Sequence, residues 1–479
     1  MILFFLTLLL VSSKLTEHQR TLHSISKQAK ESKKSTVETF KYTVPLDHFN
    51  ANNDEEFEIV YFIDSQYLDS ASETSPIFIL LGGEGPETEK VLQNNYVIDE
   101  LAKKHKGLML SVEHRFYGTS TPSLELNTLK YCTAEQAMMD YVEVINYVQE
   151  MYSLVGHPVI ALGGSYSGNL ATWIRQKYPN IIDGSWASSA PLEAVVDFYE
   201  YLEVVQSNLP ENTATLLTLA FEKWDEMVVT ESGRKQLGKI FHTCTEFGEK
   251  DIQTFSENIG TALAGYVQYN SSVWKKNYES TNSICYEFDE DINTKYPMFI
   301  DKTNTKSGSD CTGSSLETNY KELRDTTTYE KGNDGASGRA WMFQTCVAYG
   351  YYQAVSEKSN VMFGRMNKLQ GSIDMCKDIY NIDNQTLYQA VEHINVRYGA
   401  KNPQVTNVAF TNGGVDPWHA LGITQQDAVD SSNIVQYIQT TSHCSDLYSE
   451  KETDAPELKR ARHKEMRFFE ELLENLPKK

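Results

Sequence analysis

The chain has 479 residues, more than one compact core usually holds, so it suits a large domain with an insertion, or two domains. Its hydrophobic fraction of 40% is enough to fill sizeable cores, and disorder is therefore not the expected state. The formal net charge of -22 argues against nucleic acid and anionic membrane surfaces as partners.

The amino terminus indicates export. Residues 1–11 form an apolar run of about ten residues, whereas a helix that spans a bilayer needs about twenty. The small residues Ser12 and Ser13 follow this run, so we interpret residues 1–13 as a signal peptide. The alternative is a hydrophobic anchor that the mature chain retains. Export predicts a secreted or lysosomal/vacuolar protein without stable membrane insertion after the signal is removed.

The predicted elements then alternate between strands and helices. Strands are expected in the first part of the chain at 55–64, Ile77–Leu81, 107–112 and 158–162. Helical segments at 91–104 and 133–151 separate the last three of these strands. This alternation predicts a largely parallel sheet that is covered on both faces. The same pattern returns late in the chain, with strands at 405–410 and Ile434–Ile438 and an amphipathic helix at 455–473.

The middle of the chain has a different pattern. From residue 192 to residue 398 the sequence is mainly helical in character, except for a polar stretch at 301–338. We therefore predict one α/β domain in two halves, 40–191 and 399–479, with a helical cap inserted at 192–398.

The cysteines argue against a metal site. The chain has seven of them, and none forms a CxxC pair, so no zinc or other metal is expected. Export favours disulfides, and the odd number leaves at least one thiol over. Export also makes the sequons at Asn270 and Asn384 credible glycosylation sites.

The central motif is GGSYSG at 163–168, between a predicted strand and a helix-like segment at 169–178. A serine on such a turn is a nucleophile elbow, which exposes the hydroxyl and needs small residues two positions before and two after it. Gly163 and Ser167 meet this need around Ser165. With Ser167 as the nucleophile, Asn169 would take the second small position, which is less favourable. The alternative is a glycine-rich turn without chemistry.

In this type of fold the acid and the base follow the serine in chain order. Asp416 comes just after a predicted strand and a glycine turn. Of the three later histidines, His419 is too close to Asp416 in sequence, and His463 lies among Lys and Arg on the terminal helix. His443, in a loop after the strand Ile434–Ile438, is therefore the predicted base.

An oxyanion hole needs two amides that point at the developing negative charge. The amide of Tyr166, the residue after the nucleophile, is one candidate. Gly83 is the other, because it lies in the glycine-rich loop 82–86 that follows Ile77–Leu81. The alternative is that these glycines serve only the turn.

At these residues the chain resembles the serine peptidase family of lysosomal Pro-Xaa carboxypeptidase, dipeptidyl peptidase II and thymus-specific serine protease. The resemblance covers about residues 40–447 and rests on motifs in the family's order: LGGEGP (81–86), VEHRFYG (112–118), TAEQA (133–137), GGSY (163–166), SAP (189–191), WxxQTC (341–346), NGxxDPW (412–418) and HC (443–444). It implies an α/β-hydrolase core with a mostly parallel sheet and a large inserted helical cap. The family's triad falls on Ser165, Asp416 and His443.

The resemblance also implies an activity. Family members remove residues from the ends of short peptides, typically beside proline, through an acyl-enzyme and without a cofactor. Trp418 is then expected to form one apolar wall of the S1 pocket, with Asn169 on the opposite side. The resemblance further implies that Cys346 pairs with Cys376. The other cap cysteines offer one more bridge, whose connectivity is left open: Cys244, Cys285 and Cys311.

Two departures from the family pattern concern specificity. The segment VAYG at 347–350 replaces the family's TEFG, which removes a carboxylate from the cap side of the cleft. Asn169 replaces an apolar residue that helps to form S1 in the human-type enzymes. Both changes leave the triad intact. They put in doubt the preference for proline and the end of the peptide that is removed.

The leading prediction is a serine exopeptidase, either a carboxypeptidase or a dipeptidyl peptidase, with short peptides as its partners. An esterase or lipase of the same fold is the first alternative, and a hydrolase-like binding module without catalysis is the second. Formation of a homodimer stays open. Glu113, His114 and Arg115 could form a metal or acid–base cluster, but we expect a buried ion-pair network that braces the site.

Overall fold

The computed structural model describes residues 36–72, 74–93, 95–270, 284–359 and 362–476. The predicted signal peptide at 1–13 lies outside these ranges. Among the helices within them, none is long and apolar enough to cross a bilayer.

An eight-stranded sheet forms the centre of the fold. The strands of the chain are β1 Glu38–Pro45, β2 Glu56–Asp64, β3 Ile77–Leu81, β4 Leu108–Val112, β5 Val159–Gly164, β6 Gly184–Ser188, β7 Val195–Asp197, β8 Gly350–Tyr352, β9 Val408–Gly413 and β10 Ile434–Ile438. The order in the large sheet is β1-β2-β4-β3-β5-β6-β9-β10, and β7 pairs with β8 in a separate parallel ribbon.

The direction of the strands identifies the fold class. β2 is antiparallel to both of its neighbours, whereas every other pair in the large sheet is parallel. In register, Ile79 of β3 aligns with Leu110 of β4 on one side and Ala161 of β5 on the other. This order, with β2 alone reversed, is that of the α/β-hydrolase fold and confirms the predicted fold class.

Both faces of the sheet are buried at its central strands. In β3, Ile77, Ile79 and Leu81 join the larger hydrophobic core on one face, whereas Phe78 and Leu80 join a second core on the other. Successive side chains of a strand point to opposite faces, so a strand that is covered on both faces needs a continuous apolar run. That requirement is why the sequence predicts this strand with its observed bounds.

Helices cover the sheet and form the cap. They are α1 Val97–His105, α2 Leu126–Leu129, α3 Ala134–Met151, α4 Tyr166–Lys177, α5 Glu200–Asn208, α6 Glu211–Val228, α7 Glu231–Ile240, α8 Ile252–Tyr269, α9 Ile284–Glu290, α10 Ile292–Ser307, α11 Leu316–Arg324, α12 Ala336–Gln344, α13 Leu369–Tyr380, α14 Asn384–Tyr398 and α15 Pro456–Asn475. α4 packs against β5 and β6, and α15 packs against β10.

The chain leaves the large sheet after β6 and returns to it at β9, and the segment between them is mainly helical. Two disulfides cross-link this segment, Cys244–Cys311 and Cys346–Cys376. Cys132 and Cys444 are buried outside both bridges. Of the sequon residues, Asn384 is exposed at the start of α14 and Asn270 is half-buried after α8, and glycosylation stays a prediction at both.

The polar stretch 301–338 breaks the helical pattern less than the sequence predicts. α10 continues into it as far as Ser307, and α11 forms entirely within it. The Ser315 hydroxyl accepts a hydrogen bond from the Thr318 amide at 3.3 Å. A capping serine satisfies a free amide of the first turn, and a helix can therefore begin in polar sequence.

Candidate active site

Ser165 lies at a sharp turn between β5 and α4. Its backbone has φ 60° and ψ -131°, and a positive φ is uncommon for residues other than glycine. The turn also requires very close packing, since a Cβ on Gly163 would lie 2.0 Å from the Ser167 carbonyl oxygen. A Cβ on Gly168 would lie 2.9 Å from the Ser188 carbonyl oxygen. The geometry is that of a nucleophile elbow.

Ser167 has a structural role in this turn. Its hydroxyl donates a hydrogen bond to the Gly164 carbonyl at 2.9 Å and accepts one from the Gly164 amide at 2.9 Å. The Ser165 hydroxyl, in contrast, makes no hydrogen bond with any residue that the structure describes. The serine that replaces the usual small residue thus closes the turn, while Ser165 keeps its hydroxyl available.

Asp416 and His443 form a buried hydrogen-bonded pair. Oδ2 of Asp416 lies 2.8 Å from Nδ1 of His443, and Oδ1 accepts a hydrogen bond from the Trp418 amide at 3.0 Å. Burial disfavours the imidazolium, but the Asp416 carboxylate outweighs this effect and raises the pKa of His443. The pair therefore has the geometry of a base that is oriented by a carboxylate.

Hydrogen bonds along the carboxyl edge of the sheet connect this pair to the elbow. The Ser165 amide donates to the Ser188 carbonyl at 2.8 Å, and the Cys444 amide donates to the Ser189 hydroxyl at 2.9 Å. Ser188 and Ser189 are neighbours at the end of β6, which lies between β5 and β9 in the sheet. The structure thus brings the elbow and His443 to the same edge of the sheet, where all three proposed triad residues are buried.

The oxyanion candidates lie at the start of α4 and on the loop after β3, both at this edge. Tyr166 is the first residue of α4, so its amide belongs to the free donors at a helix N-terminus. Gly83 follows β3, and its neighbour Gly82 is fixed by two hydrogen bonds. The Gly82 amide donates to the Val112 carbonyl at 2.9 Å, and its carbonyl accepts from the Tyr141 hydroxyl at 2.8 Å. The roles of Tyr166 and Gly83 stay predictions.

The two predicted substrate residues meet at Tyr351. Nδ2 of Asn169 lies 3.3 Å from the Tyr351 hydroxyl and donates to the Pro191 carbonyl at 3.1 Å. The Tyr351 ring packs edge-on against Trp418, with 5.3 Å between the centroids. Trp418 is fully buried and also contacts the rings of Phe198 and Tyr201. The cap thus supplies an aromatic wall that the sequence did not identify.

Helix α8 of the cap also contacts the predicted base. The carbonyl of Gln268 accepts a hydrogen bond from the His443 amide at 2.8 Å, and its side-chain oxygen accepts one from the Trp418 indole at 3.0 Å. The ring of Tyr269 stands perpendicular to His443 at a centroid distance of 5.6 Å. No local pattern in α8 indicates these contacts, because they depend on how the cap docks onto the core.

Glu113, His114 and Arg115 bind separate buried partners, and only Arg115 forms the ion pair that the sequence led us to expect. Arg115 pairs with Asp140 through Nε at 2.6 Å. Glu113 accepts hydrogen bonds from the amide and the hydroxyl of Ser120. Nε2 of His114 lies 3.1 Å from the Tyr166 hydroxyl, and burial lowers the pKa of His114 to about 4. The network therefore contacts α4, the helix that follows the elbow, through His114 and Tyr166.

Comparison with known proteins places the chain in a family. The sequence pattern of the family described as serine carboxypeptidase S28 matches residues 44–465. Human thymus-specific serine protease is 30% identical over 439 residues, which cover 87% of this chain and 83% of that protein. A Caenorhabditis elegans relative is 32% identical over 449 residues, which cover 88% of this chain and 86% of the relative.

A third relative is also similar to this chain over most of its length. Human lysosomal Pro-X carboxypeptidase is 24% identical over 442 residues, which cover 88% of this chain and 86% of that protein. The resemblance that the sequence motifs indicate is thus confirmed. The chain belongs to the serine carboxypeptidase S28 family, and it is a serine peptidase.

Proposed function

We propose that the protein is a serine exopeptidase in which Ser165 is the nucleophile, His443 the general base and Asp416 the carboxylate that orients the base. The observation that carries this proposal is the elbow at Ser165 on the same sheet edge as the Asp416–His443 hydrogen bond of 2.8 Å. Membership in a serine peptidase family supports the same assignment.

The triad would act first as an acylating unit. Oγ of Ser165 attacks the carbonyl carbon of the scissile bond while Nε2 of His443 takes the hydroxyl proton. The Asp416 carboxylate stabilises the imidazolium that forms. The amides of Tyr166 and Gly83 stabilise the negative charge on the former carbonyl oxygen. The C–N bond then breaks, and His443 gives its proton to the leaving amine.

Water completes the reaction. His443 takes a proton from a water molecule, whose oxygen attacks the acyl carbon of the ester on Ser165. The ester bond breaks, the proton returns to Oγ, and the acid product leaves. One peptide and one water are consumed in each cycle, and no cofactor enters the balance.

We propose short peptides as the substrates because the cap covers the triad. Residues of α8 contact His443 and Trp418, so we expect the cap to exclude folded proteins. An aromatic face packs well on a proline ring, so the wall of Tyr351 and Trp418 favours proline at S1. Asn169 adds a polar group beside Tyr351. We therefore expect S1 to accept proline without requiring it.

A secreted or lysosomal location fits this function. The proposal rests on the apolar start of the chain and on the disulfides Cys244–Cys311 and Cys346–Cys376, which are typical of oxidising compartments. A human relative bears the word lysosomal in its name.

Digestion of a library of short peptides, read by mass spectrometry, tests this proposal. We expect products shortened from one end, and we expect Asp416→Asn to lower turnover about ten-thousandfold by misorienting the imidazole. Cleavage inside long or folded substrates would contradict the exopeptidase assignment. Hydrolysis of simple esters without any peptide cleavage would favour the esterase alternative.

A further inference from the structure

The loop that carries Gly83 also brings a carboxylate into the site. Glu84 is 3% exposed, and neither of its carboxylate oxygens accepts a hydrogen bond from the residues that the structure describes. It lies on the loop that follows β3, and β3 neighbours β5 in the sheet, so this loop lies at the same edge as the elbow and His443. Tyr269 itself packs on His443. Glu84 and the Tyr269–His443 pair therefore lie at the same edge of the sheet.

The neighbouring buried carboxylates are different. Glu113 accepts hydrogen bonds from the Ser120 amide at 2.8 Å and from the Glu87 amide at 2.9 Å. Glu87 accepts one from the Ser111 hydroxyl at 3.0 Å. These contacts explain Glu113 and Glu87 as parts of the core. Glu84 has no comparable structural role, although an unpaired buried carboxylate is costly.

The carboxylates at and near Glu84 give this part of the protein the negative charge that a cation-binding site needs. Within the described ranges, no lysine or arginine forms an ion pair with Glu84. Asp416, which pairs with His443, is a second carboxylate at this edge of the sheet. Burial raises the pKa of Glu84 to about 7, and His443 acts in the opposite direction. The two carboxylates carry more negative charge than the single imidazolium of His443 balances, and a cationic ligand would favour the ionised form of Glu84.

We propose that Glu84 is a specificity-determining residue that binds an ammonium group of the peptide substrate. The inference rests on the serine peptidase function proposed above and adds a substrate class to it. Two sources supply this group, the free amino terminus of a peptide and a lysine side chain. The Tyr269 ring, which packs on His443 at the same edge of the sheet, would add a favourable contact with a cation.

Matched peptides test the proposal. The parent is a short peptide that has a free amino terminus and contains norleucine but no lysine. The second peptide is the acetylated parent, and the third is the acetylated parent with lysine in place of norleucine. For each, kcat/KM is measured with wild type, Glu84→Gln, Glu84→Asp and Glu113→Gln. We expect wild type to prefer at least one cationic peptide over the neutral one by about thirtyfold or more. The preferred peptide identifies the source of the ammonium group.

The variants separate recognition from folding. Glu84→Gln should remove the preference, whereas Glu84→Asp, which keeps the charge, should restore part of it. Glu113→Gln changes an equally buried carboxylate that has its own partners, so the preference should survive. Equal kcat/KM for all three peptides in wild type, or an undiminished preference in Glu84→Gln, would overturn the proposal. If none of the peptides is cleaved in a Ser165-dependent way, the proposed function itself fails, and the role of Glu84 fails with it.

Discussion

The backbone at Ser165 is strained in a way that suits a nucleophile. A positive φ at a residue with a side chain costs about 1–3 kcal/mol and persists only where the surroundings hold it. Here the Ser165 amide donates to Ser188, and the Ser165 carbonyl accepts hydrogen bonds from the amides of Gly168 and Asn169. The strain is therefore located at the residue that we propose as the nucleophile.

Asn169 provides a test of specificity at the scale of a single residue. Asn169→Met should raise the preference for proline over alanine at S1 by about 1–3 kcal/mol, the range for one hydrophobic pocket contact. The Pro191 carbonyl stays satisfied, because the Tyr351 hydroxyl also donates to it. The measurement is kcat/KM for the proline and alanine peptides in both forms. An unchanged ratio, or a wild type that already rejects alanine strongly, would show that Asn169 does not line S1.

Residue patterns predict the parts of the site that share a local motif, and they fail for the rest. Ser165 stands in an elbow motif, and Asp416 and His443 each follow a predicted strand, so their order alone indicates a triad. Gln268 and Tyr269 carry no such signal. They reach His443 from a cap helix that is distant in sequence, and only tertiary packing decides which face of that helix meets the core.

The elbow between β5 and α4 depends on Gly163. In Gly163→Ala the new Cβ would meet the Ser167 carbonyl, which is backbone and cannot rotate away. We expect a loss of about 3 kcal/mol or more in the free energy of unfolding. We also expect an activity loss of about a hundredfold from displacement of Ser165. Thermal unfolding and kcat/KM measure the two effects.

Gly338→Ala is the matched control for this variant. Gly338 lies inside α12, and a Cβ added there meets nothing within 4 Å. Alanine is favoured over glycine in a helix by about 1 kcal/mol, so this variant should be as stable as wild type or more stable. Similar stability and activity for Gly163→Ala and wild type would contradict the account of the elbow.

Strands were predictable where their sequence forms an apolar or alternating run, and a buried strand without such a run was missed. β3 and β10 have their predicted bounds, and β2 and β4 differ from theirs by one residue. β6, Gly184–Ser188, is equally buried, but its small residues and single tryptophan form no apolar run. β6 forms because it pairs with β5 and β9 on either side, and its own sequence does not indicate a strand.

At the scale of the whole molecule, buried carboxyls predict how stability depends on pH. Burial raises the pKa values of Glu84 and Glu113 to about 7 and that of Asp225 to about 6. A carboxyl whose folded pKa exceeds its unfolded value stabilises the fold below the unfolded pKa, and this contribution is lost as pH rises through the folded pKa. Glu84 and Glu113 would each contribute about 3 kcal/mol in this way.

The protein should therefore be more stable at pH 5 than at pH 8. Thermal unfolding across this interval should give a Tm that falls as pH rises, with the steepest change between pH 5 and pH 7. Glu113→Gln removes one of these groups and should flatten the curve. A Tm that is constant or rises toward pH 8 would show that these carboxyls are ionised in the folded protein.

The central claim is that Ser165 is the nucleophile of a serine peptidase, and covalent labelling tests it most directly. The protein is treated with a fluorophosphonate, digested, and mapped by mass spectrometry, with Ser165→Ala treated in parallel. The account predicts one phosphonylated residue, Ser165, in the wild type and no label in the variant, together with a loss of turnover of about a millionfold. A label on another residue, or full labelling of Ser165→Ala, would contradict the claim.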